Sequence, residues 1–252
     1  MASAALPSSV PRERQAVVGL TLATLVIGGW VALHALTLFV WRPSGAEWLL
    51  AVPLVALQSW LSVGLFIVAH DAMHGSLAPG RAGVNRTVGR VALTLYAGFS
   101  YDRLTSAHWQ HHKAPGSSAD PDFCADHPTS FARWYWAFLT RYFGWPSFLF
   151  ISGVSALLLL AGVPLGNLLL LYALPAILSS VQLFAFGTFL PHRHDDAGFA
   201  DRHNSRTNDW GTLASLASCY HFGYHHEHHL SPHVPWWRLP ARRREALAEV
   251  SR

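Results

Sequence analysis

Sixteen of the 252 residues are histidine, more than the fourteen aspartates and glutamates together. Their spacing carries the chemistry. His70 and His74 form an H-x-x-x-H pair, and at helical spacing residues i and i+4 project from one face. His108, His111 and His112 form H-x-x-H-H, and the same spacing recurs at His225, His228 and His229. Imidazoles one turn apart on a helix can hold one metal ion from adjacent turns. One such pair is weak evidence; three clusters in one chain are strong. Eight histidines in these patterns exceed what a single four- to six-coordinate ion can use, so the count implies two metals.

Several metal chemistries fail on the residues. A zinc hydrolase of the H-E-x-x-H kind needs Glu after the first His and a second His beyond it. His70 is followed by Asp71, and after His226-Glu227 the required place holds Leu230. Soluble di-iron bundles draw on several Glu and paired Glu-x-x-His motifs, whereas the whole chain has only Glu13, Glu47, Glu227, Glu245 and Glu249. Haem takes one or two axial histidines and does not explain triplets. Imidazole suits Fe, Cu, Zn and Ni; redox iron matches a neutral, ligand-rich site best, although spacing alone does not separate it from copper.

The elements that must position these residues are apolar. Charged residues make up 13% of the chain, about half the usual share of a soluble domain. None occurs over Gln15–Trp41, Trp48–His70 or Tyr142–His192, runs of 27, 23 and 51 positions. A membrane-spanning helix needs about 20 apolar residues. The third run holds two if it breaks at Gly162-Val163-Pro164-Leu165-Gly166-Asn167. Four spans are therefore expected, near 17–40, 48–70, 146–162 and 166–190. Val88–Tyr101 is apolar but too short to cross, and reads as a re-entrant or interfacial helix.

Arg42 is the only basic residue in the two short loops; the other basic residues lie in the N-terminal tail, in Asp71–Arg141 and beyond Arg193. The positive-inside rule places those three regions, and both termini, in the cytosol. The net charge of +4 then reads as topology rather than nucleic-acid binding, since Lys113 is the only lysine. Trp41, Trp48, Trp134, Trp136, Trp145, Trp236 and Trp237 sit near span ends, as an aromatic belt would. Cys124 and Cys219 form no C-x-x-C pair and are expected to be reduced thiols. The expectation is an all-α integral membrane protein, one domain over 1–252 with short tails 1–14 and 241–252. It has about four transmembrane helices and a cytosolic helical cap carrying a histidine-rich dimetal site.

The three-box arrangement resembles the membrane-bound histidine-box di-iron oxygenases and desaturases, and more closely the bacterial carotenoid 4-ketolases. The resemblance rests on Leu61–Leu77 (LSVGLFIVAHDAMHGSL), Leu95–Asp102 (LYAGFSYD), His108–Phe123 (HWQHHKAPGSSADPDF), Phe186–His194 (FGTFLPHRH) and Tyr220–Leu239 (YHFGYHHEHHLSPHVPWWRL). The boxes specify the superfamily; the last two strings point to ketolases.

The resemblance implies a ninth ligand after the last span, at a position like that of His192, with His194 and His203 as competitors. It implies two iron ions and O2 as co-substrate. The reaction it implies oxidises the allylic C4 methylene of a β-ionone ring to an alcohol, then to a gem-diol that loses water to the ketone. The substrate is a carotenoid entering from the bilayer, in a tunnel with Trp60, Phe66, Leu95, Tyr96, Phe184 and Phe189 as candidate walls. Two electrons per turnover must come from outside, from a donor such as ferredoxin, because the chain shows no G-x-G-x-x-G, P-loop or cysteine cluster motif. A basic face including Arg242-Arg243-Arg244 is a candidate dock, or a headgroup anchor. The implied location is the cytoplasmic membrane, multi-pass, with the metal site on the cytosolic side.

A ligating imidazole donates its other N–H to a carboxylate or carbonyl. Asp71, Asp120, Asp122, Asp209 and Glu227 are placed for that, with Asp71 and Asp122 foremost. His221 and His226 flank box three and read as supporting or surface imidazoles, as does His203 if it is not a ligand. His34, within the first span, reads as a packed histidine away from the boxes. Rival readings are a carotenoid 3-hydroxylase or lipid desaturase with the same boxes, and a metal transporter, which would place its ionisable groups inside the spans.

Overall fold

The computed structural model describes residues 10–250; residues 1–9, most of the expected N-terminal tail, and 251–252 lie outside the described residues. The described residues are helical, with no strand among them. Three helices are long and apolar enough to cross a membrane: α1 (Arg12–Val40), α2 (Gly45–Met73) and α7 (Leu165–His192). They enclose three of the four expected spans. α2 opens on a capping box, in which the Ser44 backbone N–H donates to Glu47 Oε2 at 2.8 Å. α7 carries two π turns, Leu169–Ala173 and Ala185–Phe189.

The expected span at 146–162 takes another form. α5 (Phe131–Tyr142) and α6 (Trp145–Leu160) meet at an 83° bend, and only together do they reach crossing length. The break has a local cause: Gly144 is extended, and Pro146 opens the new helix in the one turn where a missing N–H costs nothing. The stretch expected at Val88–Tyr101 is also redrawn. α3 (Ala82–Ala97) starts earlier and stops where Gly98 adopts the left-handed conformation, φ 65°. It lies along α2, with Ala92 and Leu93 fully buried.

α4 (Tyr101–Lys113) follows, with Ser100 Oγ accepting the Arg103 N–H. Beyond α7 come α8 (Gly211–Cys219), the short α9 (His225–Leu230) and α10 (Leu239–Val250).

The core is built on α2, whose Val63, Leu65, Ile67, Val68 and Ala69 are buried against α1, α3 and the turn before α9. The outer surface of the long helices stays apolar: Leu25, Phe39, Leu160 and Ile177 are all exposed. Such a surface is unfavourable in water and natural against lipid, and it makes this a membrane protein. The tryptophans divide. Trp48, Trp136 and Trp145 are exposed as a belt requires, but Trp134 and Trp236 are buried, so these two are packing residues. Trp134 donates its indole N–H to the Asp122 carbonyl at 2.7 Å.

Candidate metal centre

Four elements converge at one end of the long helices. The last turn of α2 carries His70 and, one turn on, His74; α4 carries His108, His111 and His112; the end of α7 carries His192; α9 carries His225, His228 and His229. Their nitrogens form two groups, each with ligand atoms within 4.8 Å of one another: His70, His74, His108, His112 and His228, then His111, His192, His225 and His229. Each H-x-x-H-H triplet is therefore divided. On α4 the i and i+4 imidazoles face the first group and His111 the second; on α9 His225 and His229 face the second and His228 the first. The groups adjoin, with the His112 and His229 rings stacked at 4.3 Å.

Such an arrangement fits cations. Facing Nε2 atoms lie at 2.7 Å (His74 and His108), 3.0 Å (His112 and His228) and 3.1 Å (His111 and His229; His225 and His229). His192 Nδ1 donates to the Asn204 carbonyl at 2.7 Å, which leaves its Nε2 a buried lone pair without a protein partner. Both His70 nitrogens are likewise buried and unpartnered. Convergent lone pairs of this kind are costly unless a cation accepts them. Burial first, and then the charge of neighbouring imidazoles, holds His108, His225, His228 and His229 well below the ordinary pKa, and His112 down at about 2. They are neutral at pH 7, as ligands must be.

The surrounding shell differs from expectation in detail. Asp120, rather than Asp71 or Asp122, is the carboxylate hydrogen-bonded to one of these nine imidazoles. Its two oxygens accept from His111 Nδ1 at 2.9 and 3.0 Å, and it also accepts the Gly116 and Asp122 amides at 2.8 Å. Burial lowers His111, but the bond to Asp120 and the charge of Asp122 outweigh it and raise the pKa.

Asp122 sits 3.9 Å from His111 Nδ1 and accepts the Tyr142 hydroxyl. Asp71 lies 4.0 Å from His70 Nδ1, too far for a hydrogen bond, and instead accepts the Trp236 backbone N–H at 3.2 Å. It ties the end of α2 to the segment leading into α10. Glu227 is buried among the box-three histidines but turns outward, to Thr207 at 2.5 Å and Arg243 at 2.9 Å. Asp209 touches Arg243 at 3.5 Å, is largely exposed, and meets no imidazole.

His203 lies 6.1 Å, ring to ring, from His229 and belongs to neither group. His194 stacks on Phe123, His226 pairs with Asp201 at 2.9 Å, and His221 lies over Trp236. His221 and Tyr220 both have positive φ, 66° and 48°, which makes the sharp turn into α9. Arg243 points inward to Glu227 and Arg242 bonds Ser231 and Glu249, so of the arginine triplet only Arg244 is exposed. The Asn204 carbonyl was beyond sequence reading, because a backbone group has no residue type.

A cavity of about 630 Å³ begins at His70, His108, His111 and His225 and runs between the long helices. Its walls are mostly apolar. Phe66 and Tyr96 line it as expected, whereas Trp60, Leu95, Phe184 and Phe189 do not. Trp60 stacks on Tyr220, Leu95 packs on the main core, and Phe184 and Phe189 pack with Trp134. Ile177, 59% exposed, also lines the cavity, so it reaches the apolar flank of the molecule. His34 lines it too, which revises its reading as a histidine apart from the site.

The fatty acid desaturase family profile matches residues 46–155 and 141–252, and the chain belongs to that family. Among curated proteins, the chain is 49% identical over 229 residues to a beta-carotene ketolase of Paracoccus sp. (strain PC1), covering 90% of this chain and 91% of that one. It is 43% identical over 236 residues to the beta-carotene ketolase of Paracoccus sp. (strain N81106 / MBIC 01143), covering 93% and 96%. It is 39% identical over 234 residues to a zeaxanthin 4-ketolase of Chlamydomonas reinhardtii, covering 88% of this chain and 52% of the other. No solved structure matches.

Proposed function

We propose that this protein is a carotenoid 4-ketolase, which converts the C4 methylene of a β-ionone ring to a ketone, as from β-carotene or zeaxanthin, with O2. The observation that carries this reading is the opening of an apolar cavity of about 630 Å³ onto two adjoining imidazole groups, in a chain of this family with ketolase relatives.

The nine histidines His70, His74, His108, His112 and His228 with His111, His192, His225 and His229 would hold two iron ions. When bound, these supply O2 activation and the oxidising power for a C–H bond. Everything else falls to the chain. Neutral, buried imidazoles accept the ions without releasing many protons at pH 7. Asp120 and the Asn204 carbonyl keep Nδ1 of His111 and His192 protonated and so point Nε2 inward. The apolar walls hold a long neutral substrate with one ring at the imidazoles and keep water out. Two rounds at one carbon give a gem-diol, and loss of water gives the ketone.

The substrate enters from lipid at the Ile177 flank. The whole of 1–252 acts as one unit in the cytoplasmic membrane, both termini and the metal centre on the cytosolic side. Electrons come from an external donor of the ferredoxin type; with Arg242 and Arg243 engaged internally, Arg244 is the member of the triplet left to meet it.

The test is expression in a cell that accumulates β-carotene, with pigments identified by mass. The wild type should form 4-keto products. His74→Ala, His111→Ala and His228→Ala should each abolish them while the protein still reaches the membrane. Ketone formation by any of the three contradicts the site, and a 3-hydroxylated product without ketone moves the chain to the hydroxylase reading.

A further inference from the structure

We propose that the end of the cavity remote from the imidazole groups, where His34 and Tyr172 face each other, recognises a hydroxyl on the substrate's second ring. This rests on the ketolase reading and deepens it to a choice among carotenoids.

Position comes first. His34 is held against Gln58, which precedes His70 by twelve residues on α2, roughly 18 Å at 1.5 Å per residue. Tyr172 precedes His192 by twenty residues on α7, roughly 30 Å on the same rise. The two rings meet edge to face at 5.6 Å, and both line the cavity that starts at His70 and His225. A carotenoid extends on the order of the bilayer's hydrocarbon core, about 30 Å. With one ring at the imidazoles, the other half of the molecule lies along this pair.

Hydrogen-bond accounting comes second. Polar groups within spans are expensive and are normally paired. Most of those around the pair are: Trp30 Nε1 donates to Ser62 Oγ at 3.0 Å, Ser62 Oγ to the Gln58 carbonyl at 2.8 Å, and Asn167 Nδ2 to the Thr37 and Trp41 carbonyls at 2.7 and 2.9 Å. His34 is 8% exposed, and its Nδ1 lies 3.1 Å from the Trp30 carbonyl and 2.5 Å from the Gln58 amide. A carbonyl only accepts, so Nδ1 carries the proton and Nε2 is a lone pair. The Gln58 amide, whose two ends match in shape, meets that proton with its oxygen.

His34 Nε2 and the Tyr172 hydroxyl are then left over, with no hydrogen-bond partner among the described residues, as is the far end of the Gln58 amide, and His34 and Tyr172 border the cavity. A hydroxyl satisfies both, donating to His34 Nε2 and accepting from Tyr172. A ketone satisfies Tyr172 alone, and an unsubstituted ring neither. The π turn that carries Tyr172 is the kind of helix irregularity often found at functional sites.

The experiment uses a carotenoid hydroxylated on one ring only, supplied to membranes containing the full chain. The readout is which ring carries the first ketone. The wild type should oxidise the unsubstituted ring in excess, because the hydroxylated ring then lies at His34. His34→Leu and Tyr172→Phe should each cut that excess by about three- to tenfold, the worth of one neutral hydrogen bond. Because the ratio is read within one sample, it does not depend on how much variant folds. An unchanged ratio in both variants overturns the proposal. So does loss of all product in Tyr172→Phe, which removes a single oxygen and would mark a role not confined to the distal ring. Wild-type failure to form any ketone from β-carotene would instead sink the ketolase reading.

Discussion

Asp120→Asn isolates the support of one of the two proposed metal positions. The Asp120 carboxylate is buried and meets three donors: His111 Nδ1–H at 2.9–3.0 Å and the Gly116 and Asp122 amides at 2.8 Å. Burial pushes its pKa up, but these bonds, His111 foremost, hold it below the ordinary carboxylate value. Asparagine keeps the shape, yet whichever way the amide turns, its NH2 confronts a donor. At least one buried donor is then unpaired, at about 1–3 kcal/mol. Loss of a supporting partner of a metal-binding histidine costs roughly 10- to 100-fold in affinity, or about 1.4–2.8 kcal/mol at 1.4 per tenfold. The two figures agree in size, so the whole effect should appear as weaker metal binding.

That weakening should be confined to His111, His192, His225 and His229, since Asp120 touches no member of the other group. The assay is iron per chain after dialysis against graded chelator. The variant should shed one ion at roughly 10- to 100-fold lower chelator concentration than the other. Asp102→Asn, at an exposed carboxylate paired with Arg86 and Arg90, serves as control and should change nothing measurable. An Asp120→Asn protein that keeps both ions as firmly as the wild type refutes the reasoning. One that loses both together shows that the two groups are not separable sites.

Gly64→Ala should destabilise by about 1–3 kcal/mol. The new methyl would sit 2.4 Å from the Tyr220 hydroxyl and 2.9 Å from Val26 Cγ1, and Tyr220 is clamped between Trp60 and Trp236; an unchanged melting temperature in detergent would contradict that packing. Metal-free protein should lose stability on acidification. The depressed pKa values of His108, His112, His225, His228 and His229 mean that unfolding takes up protons below 6.5, so stability present above that value declines toward the folded values, about 2 for His112, with the raised His111 opposing in part. A melting temperature flat or rising down to about pH 5 would be the contrary result.

Much of the site was legible in the residues because its information is local. Spacings of three and four on a helix are short-range geometry, and the number of histidines implied two metals before any fold was known. The long apolar runs likewise announce α1, α2 and α7, because about 20 uncharged residues have few other uses. The same reading did not foresee the break just before 146–162, where Gly144 and Pro146 start a new helix at 83° to Phe131–Tyr142, so that this segment reaches crossing length only together with the helix before it.

What only the tertiary structure decided is which groups meet. The division of each triplet between two groups depends on how α4 and α9 face one another, and spacing alone is silent on that. Asp71, adjacent in sequence to a box histidine, turns to the Trp236 amide, while Asp120, nine residues from His111, aims that ring. His34 looked like one more packed residue of a span until α2 and α7 brought Gln58 and Tyr172 to it, at the far end of the cavity that begins at the imidazoles. Periodicity tells a side chain which face of its own helix it occupies; only the packing of helices supplies what lies across from it.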